Sequence, residues 1–350
     1  MILKYDVYIK IEKNITIIQL IPDRKEWTIK IPKNEEKNIK EYIHALEIGQ
    51  LNSEYNLRLE KESLFIKKLD KFFREKGLIS EYESDNNSNL YSHRQLEVFD
   101  SWNRTLDSPS EFQKRIENSN ILVIGAGGVG TAITNILISC GIGKTYVADF
   151  DEISVSNLAR QFLYCKKDVG DLKVNVLSKR LNMRGLGKVY GINKCITINN
   201  IENVIKSIPD KVDIITGLPS PSSKEIIKLY KKIISLNIPI ICVGEHDVGP
   251  MFVNEKEIDI YMENVNKKFI LQKEYNLKRN NQFVIDRHPS YLPEIEIMAS
   301  ICADEIIRYI SKYAKVRTLE GYYGLNPITY EVKYNRIEEN NSEDNKMESE

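Results

Sequence analysis

The chain is poor in the residues that would staple it or coordinate a metal. Its 350 residues hold five cysteines, Cys140, Cys165, Cys195, Cys242 and Cys302, far apart and without a CxxC pair. That leaves a cysteine-based structural zinc site without support, and it fits a reduced, cytoplasmic protein whose thiols serve as small apolar side chains. No apolar run approaches the roughly 18 residues of a spanning helix, and charges scattered through residues 1–20 argue against a secretory signal. Net charge is missing too: 50 Lys and Arg balance 50 Asp and Glu. A chain without a basic field is not built for bulk nucleic-acid binding. Neither nucleic acid nor membrane is therefore expected as a partner. The length predicts two or three domains, or one large and one small.

What the chain does have is a glycine-rich turn in the right surroundings. The apolar run Ile121–Ile124 meets Gly125-Ala126-Gly127-Gly128-Val129-Gly130. A helical pattern follows through Ile133, Ile136, Leu137 and Cys140, and Gly141 and Gly143 close it. A second apolar strand runs from Thr145 to the acidic pair Asp149 and Asp151. This is half of a nucleotide-binding βαβ unit. Gly125, Gly127, Gly128 and Gly130 let the backbone turn tightly beside phosphate, and the helix N-terminus offers N–H groups to it. Asp149 lies about 20 residues beyond the loop, where an acid would take the ribose hydroxyls. On these residues alone the loop suits a dinucleotide, a flavin or ATP.

Two further stretches narrow this choice. After Asp149 comes Asp151-Glu152-Ile153-Ser154-Val155-Ser156-Asn157-Leu158-Ala159-Arg160-Gln161, then Asp168-Val169-Gly170 and Lys173, which opens a helix reaching to about Arg180. One amide and two cations just past the ribose acid suit a triphosphate more than a redox pair. Upstream, residues 1–85 read as three strands and three helices. The strands are Leu3–Ile11, Ile15–Ile21 and Trp27–Ile31; the helices are Asn38–Leu46, Asn52–Leu57 and Glu62–Lys76. Such a winged-helix-like module could capture an extended peptide on the edge of its third strand. Residues 86–110 read as a linker carrying Tyr91-Ser92-His93-Arg94-Gln95, residues 111–336 as the nucleotide domain, and residues 337–350 as an acidic, disordered tail.

The series GAGGVG, VADFDEISVSNLARQ, DVGDLK and ADEIIRYI (Ala303–Ile310) resembles the ThiF/MoeB/E1 adenylyltransferase superfamily, most closely the microcin C7-type MccB enzymes. The resemblance implies an α/β, Rossmann-like adenylation fold behind an N-terminal winged-helix-like peptide clamp. It implies a homodimer that uses ATP and Mg²⁺ to adenylate a carboxylate on a short, ribosomally made precursor peptide. Position by position it implies that Asp149 holds the ATP ribose, with Asp151 beside it. It gives Asn157, Arg160 and Lys173 to the phosphates and transition state, and lets Gln161 shape the loop. Arg94 would reach the phosphates from the partner subunit. No resident metal ligands and no structural zinc are expected.

Two departures from the family pattern stand out. Ser220, in Leu218-Pro219-Ser220-Pro221, falls where the family carries a Mg²⁺-binding aspartate; Glu245 and Asp247 are the nearby acids. The family's zinc cysteines fall near Asp259 and Met262. Glu245, His246 and Asp247 follow the strand Ile238–Val243, so they are either substrate contacts or a plain polar turn. The loop around His288-Pro289 reads as a channel lining, the helix from about Glu294 to Tyr313 as buried, and Thr318–Tyr323 and Ile328–Tyr334 as strands joined by Gly324–Pro327. Adenylation is the leading reading. The alternative, favoured by Ser220, is a non-catalytic relative that presents a precursor peptide to another modifying enzyme.

Overall fold

The structure is a computed structural model. It describes all residues except 1, 5–6, 13–14, 21–24, 50–62, 81–90, 104–107, 185–186, 219–223, 245, 269–289 and 338–350. The expected helix Asn52–Leu57, Ser220, Glu245, His288, Pro289 and residues 338–350 of the acidic tail thus lie outside the described residues; Ile337, expected in that tail, is ordered instead, its N–H donating to the Glu320 carbonyl at 2.9 Å. The chain divides into two compact units, Met1–Lys114 and Arg115–Glu350.

The first unit starts with β1 (Ile2–Leu3), β2 (Val7–Glu12), β3 (Ile15–Leu20) and β4 (Lys25–Lys30). It continues with α1 (Glu36–Glu47), α2 (Leu64–Glu75), β5 (Ile79–Ser80), α3 (His93–Trp102) and α4 (Pro109–Glu117), the last of which crosses into the second unit. Strands β2, β3 and β4 form an antiparallel sheet in that order. Its inward residues Val7 and Ile18 join Ile31, Ile39, Tyr42, Ile43, Leu46, Ile66, Leu69 and Phe73 in one apolar core. Alternating apolar positions on the strands and i, i+3, i+4 spacing on the helices produce that single buried side.

The expected single strand Leu3–Ile11 is a correction: its start and end serve different sheets. β1 pairs with β5, whereas β2 pairs with β3. The reason is Lys4, which is buried and cannot continue an apolar alternation. Its Nζ donates to the carbonyls of Asp100 (2.7 Å) and Asn103 (2.9 Å), at the C-terminal end of α3, where a helix presents its unpaired carbonyls and favours a cation. Much of the described part of the expected linker is helical, since α3 carries Arg94 in its first turn.

In the second unit β6 (Asn120–Ile124), α5 (Gly128–Ser139), β7 (Lys144–Ala148), α6 (Lys173–Asn182), β8 (Lys188–Ile192), α7 (Ile201–Ser207), β9 (Ile214–Leu218), α8 (Lys224–Ser235) and β10 (Ile240–Val243) alternate. Then come β11 (Asp247–Phe252), α9 (Glu255–Lys268), α10 (Leu292–Ser311), β12 (Gly321–Leu325) and β13 (Val332–Arg336). The sheet order is β13-β12-β11-β10-β9-β6-β7-β8. The five strands β10-β9-β6-β7-β8 are parallel, and β11, β12 and β13 extend the sheet antiparallel. In chain order the parallel part reads 3-2-1-4-5, the doubly wound arrangement. Its ligand crevice opens beyond the strand C-termini where the winding reverses, at β6.

Two expectations shift by a few residues. The last hairpin turns at Asn326–Glu331 rather than Gly324–Pro327, because Gly324 and Leu325 still pair with Lys333 and Val332. Thr318 is drawn elsewhere: its N–H and hydroxyl both donate to the buried Glu305 carboxylate at 2.8 Å. The long helix is buried along Ile295, Met298, Ala299, Cys302, Ala303 and Ile306, while Ile297, Ile301 and Ile310 are half-buried. Where the family's zinc cysteines would fall, Asp259 pairs with Lys231 of α8 at 2.7 Å, and Met262 packs on the core.

Candidate nucleotide site

The site begins where β6 ends. Gly125 has φ +99°, a left-handed conformation that an L side chain resists, and it turns the chain out of the strand. Its N–H donates to the Ala148 carbonyl of β7 at 2.7 Å. A side chain at Gly130 would stand 1.9 Å from the Gly125 carbonyl oxygen, so only glycine lets the first turn of α5 fold back on the loop. Gly128 is confined by other atoms: a Cβ there would meet Ile295 Cδ1 at 2.7 Å and the Arg160 carbonyl at 3.3 Å. By contrast, a Cβ at Gly125 would meet nothing within 4 Å. The loop is therefore tight on its protein side and open on its crevice side, the shape of a phosphate cradle.

Asp149, just past β7, fixes this loop. Its Oδ2 accepts from the Ala126 N–H at 2.6 Å and its Oδ1 from the Asp151 N–H at 2.7 Å. A carboxylate has about four lone-pair directions, so capacity is left for ribose hydroxyls. Two residues with no sequence signature add to the hold. Tyr164 and Thr131 both donate to the Ala126 carbonyl, at 3.1 Å each. Burial, chiefly, pushes the Tyr164 phenol well above its ordinary pKa, so it stays a neutral donor. A tyrosine among polar loop residues reads only as an apolar filler, and its target is set by tertiary structure.

The cationic side comes from the crossover between β7 and α6. Lys173, the first residue of α6, is buried, and its ammonium lies 2.7 Å from the Asp151 carboxylate. Its own N–H donates to the Asp151 carbonyl, which locks the two together. Ser154 to Asn157 make a short turn in which the Asn157 Oδ1 accepts from the Ser154 N–H at 2.9 Å. Among the described residues the Asn157 Nδ2 has no partner. Arg160 donates one guanidinium N–H to the Ser156 carbonyl at 2.9 Å; its other donors have no protein partner among the described residues. Gln161 is buried, and its Oε1 has no hydrogen-bond partner among the described residues. A buried amide without a partner costs about 1–3 kcal/mol, which suits a group waiting for a ligand.

The Asp168-Val169-Gly170 stretch supports this side rather than joining it. Asp168 accepts from the Cys165 N–H (2.7 Å) and from Arg180 (2.6 Å). Desolvation raises its pKa, but the bonds from Cys165 and Arg180 outweigh that and hold the carboxyl below its ordinary 3.8. Gly170, at φ +95°, turns the chain into α6.

The structure thus brings together Gly125, Gly127, Gly128, Gly130 and Asp149 at one sheet end, with Asp151, Asn157, Arg160, Gln161 and Lys173 on the crossover that starts from it. Arg94 belongs to the first unit; it is exposed and makes no hydrogen bond or ion pair among the described residues. Among the described residues no three His, Cys, Asp or Glu side chains are grouped to hold a metal ion, and no helix is long and apolar enough to cross a membrane.

These features have counterparts in known proteins. The chain is 32% identical over 128 residues to the sulfur carrier protein adenylyltransferase of Thermus thermophilus, covering 35% of this chain and 47% of that protein. It is 44% identical over 64 residues to the molybdopterin-synthase adenylyltransferase of Salmonella typhimurium, covering 18% and 26%. It therefore spans less than half the length of these relatives. Among solved structures, E. coli MccB with ATP superposes with a TM-score of 0.71 at 21% identity over 96% of both chains. PaaA superposes at 0.63 and 22% identity over 80% of this chain and 94% of that one. At such identities the likeness is one of fold, and it includes the N-terminal region. A family model described as ThiF family matches residues 102–346, and the chain belongs to that family.

Proposed function

We propose that this protein adenylates a carboxylate of a short precursor peptide at the expense of ATP. The observation that carries the reading is the pairing of an open glycine cradle with a crossover on which Arg160 and Asn157 keep donors without protein partners among the described residues, and on which the Lys173 ammonium rests on Asp151. The ribose of ATP would sit on Asp149. The triphosphate would lie over Gly125–Gly128 at the start of α5, and Arg160, Asn157 and Lys173 would face it. As the carboxylate attacks the α-phosphate, charge builds on the phosphoryl oxygens and the departing pyrophosphate. Lys173 would answer by exchanging Asp151 for phosphate, within a site that needs little reorganisation. The Asp151 carboxylate, together with the triphosphate, would hold Mg²⁺, and the ion would supply further compensation of phosphate charge. Solved neighbours described as complexes of E. coli MccB with ATP and with MccA support the nucleotide and the class of substrate.

The peptide would be captured by the first unit. Among the described strands β4 pairs only with β3, so it is an edge strand of its sheet. Trp27 of β4 and Phe72 of α2 meet edge to face at 6.0 Å beside that edge, and both are partly buried. An extended peptide could add as a fourth strand and place alternate side chains there.

A homodimer belongs to the same reading. Phe150, Val155, Phe162 and Val169 are large apolar residues exposed on the crossover next to the site, and the exposed Arg94 is suited to serve a partner's nucleotide. The second reading, a non-catalytic peptide-presenting protein, rests on Ser220. The separating experiment mixes ATP with synthetic peptides for the short reading frames that neighbour the gene. Adenylation predicts peptide-dependent pyrophosphate release that R160A lowers at least 100-fold. Peptide binding with no pyrophosphate from the wild type would favour the presenting role.

A further inference from the structure

Beyond the phosphate side, one pair of titratable side chains stands at the crevice with no role in the reading above. His246 lies beyond the C-terminus of β10, where the Gly244 N–H donates to the Asp247 carbonyl at 2.8 Å. Its own carbonyl accepts from the Leu325 N–H of β12 at 2.7 Å, so His246 is tied to a neighbouring strand end. Its Nε2 lies 3.1 Å from Oε2 of Glu294, in the first turn of α10. The imidazole is 48% exposed and the Glu294 side chain only 17%. Among the described residues Nδ1 has no partner. The next residue, Ile295, is the one that packs against Gly128, so the pair borders the first turn of α5.

The chemistry of such a pair is specific. A carboxylate on Nε2 holds the proton there and turns the Nδ1 lone pair outward, the arrangement of an oriented general base. The adenylation step has no use for a base, because an attacking carboxylate carries no proton at neutral pH. The step that does is the one consuming the acyl adenylate. We propose that His246, oriented by Glu294, is the general base of that second step, in which an amine or amide nitrogen of the peptide attacks the acyl carbon. A C–N bond forms and the acyl C–O bond to phosphorus breaks. AMP leaves with that electron pair, and the proton on nitrogen passes to His246 Nδ1. The assignment rests on the adenylation reading and gives its product a fate within the same site.

The test follows pyrophosphate and AMP separately after rapid mixing with ATP and synthetic peptides for the short reading frames that neighbour the gene. In the wild type AMP should follow pyrophosphate closely. In H246A a pyrophosphate burst should persist, while AMP release slows about 100-fold, within the range for losing a general base. E294Q should slow AMP release about tenfold, and added imidazole should partly restore H246A, which a merely structural role would not allow. H246Q, on the same exposed side chain, guards against a folding artefact and should match H246A. Equal AMP release in wild type and H246A, or equal loss of both products, would overturn the assignment. A wild type that releases no pyrophosphate at all would overturn the adenylation reading, and this one with it.

Discussion

The two units differ in where their backbone hydrogen-bonding capacity goes. In the second unit much of the glycine loop's capacity is committed within the protein. Gly125 N–H goes to Ala148, Ala126 N–H to Asp149, and the Ala126 carbonyl takes both Thr131 and Tyr164. What it leaves open is a shaped gap with donors around it. In the first unit the three-stranded sheet ends on β4, which pairs only with β3 among the described strands. A fixed cradle suits a ligand that is always the same and must be held at reacting distance. An open strand edge suits an extended chain whose sequence is read through alternate side chains. Damage to one unit should therefore spare the task of the other, and that separation can be tested.

The sharpest break is Lys173→Ala. Removing the buried cation that faces the crossover should lower peptide-dependent pyrophosphate release by about 10²–10³, with peptide affinity by calorimetry unchanged. Gly130→Ala comes next. Its new methyl would sit 1.9 Å from the Gly125 carbonyl oxygen, so the loop must spread, and ATP affinity should fall on the order of 100-fold, about 2.7 kcal/mol. Trp27→Ala tests the other unit. Peptide affinity should drop about tenfold, a modest interface contribution, while ATP affinity holds. If Trp27→Ala weakened ATP and left the peptide alone, the division of labour would be wrong.

Two smaller effects sharpen the picture of the cradle. Tyr164→Phe removes one of two donors to the Ala126 carbonyl and should cost about 1 kcal/mol, a loss of about fivefold in ATP affinity. Asp168→Asn tests the support beneath α6. A carboxyl whose pKa is depressed in the folded state stabilises above its unfolded value, and that contribution disappears as pH falls through the folded one. The variant should melt below the wild type at pH 7, and the two melting curves should converge as the pH drops below about 4, where the ordinary aspartate range of 3.8 is passed.

Much of the second unit was legible in the sequence because its signals are backbone signals. Glycines, an acid at a strand end and a helix start carry their meaning at fixed spacing: Gly125 follows β6, Asp149 follows β7 and Lys173 opens α6. Side chains acting across the fold carried no such signal. Tyr164 reaches the Ala126 carbonyl over 38 residues, and His246 meets Glu294 over 48. Lys4 breaks an apparent strand because carbonyls 96 and 99 residues away take its ammonium. Gly128 carries a further constraint that glycine patterning does not show: a side chain there would meet Ile295 of α10.

The central claim is that a peptide carboxylate oxygen attacks the α-phosphate of ATP. It is tested most directly by labelling the carboxylate with heavy oxygen and analysing the nucleotide after turnover. One heavy oxygen should appear on the phosphate of AMP, with unlabelled pyrophosphate released beside it. AMP without label, or the formation of ADP and labelled inorganic phosphate in its place, would contradict it.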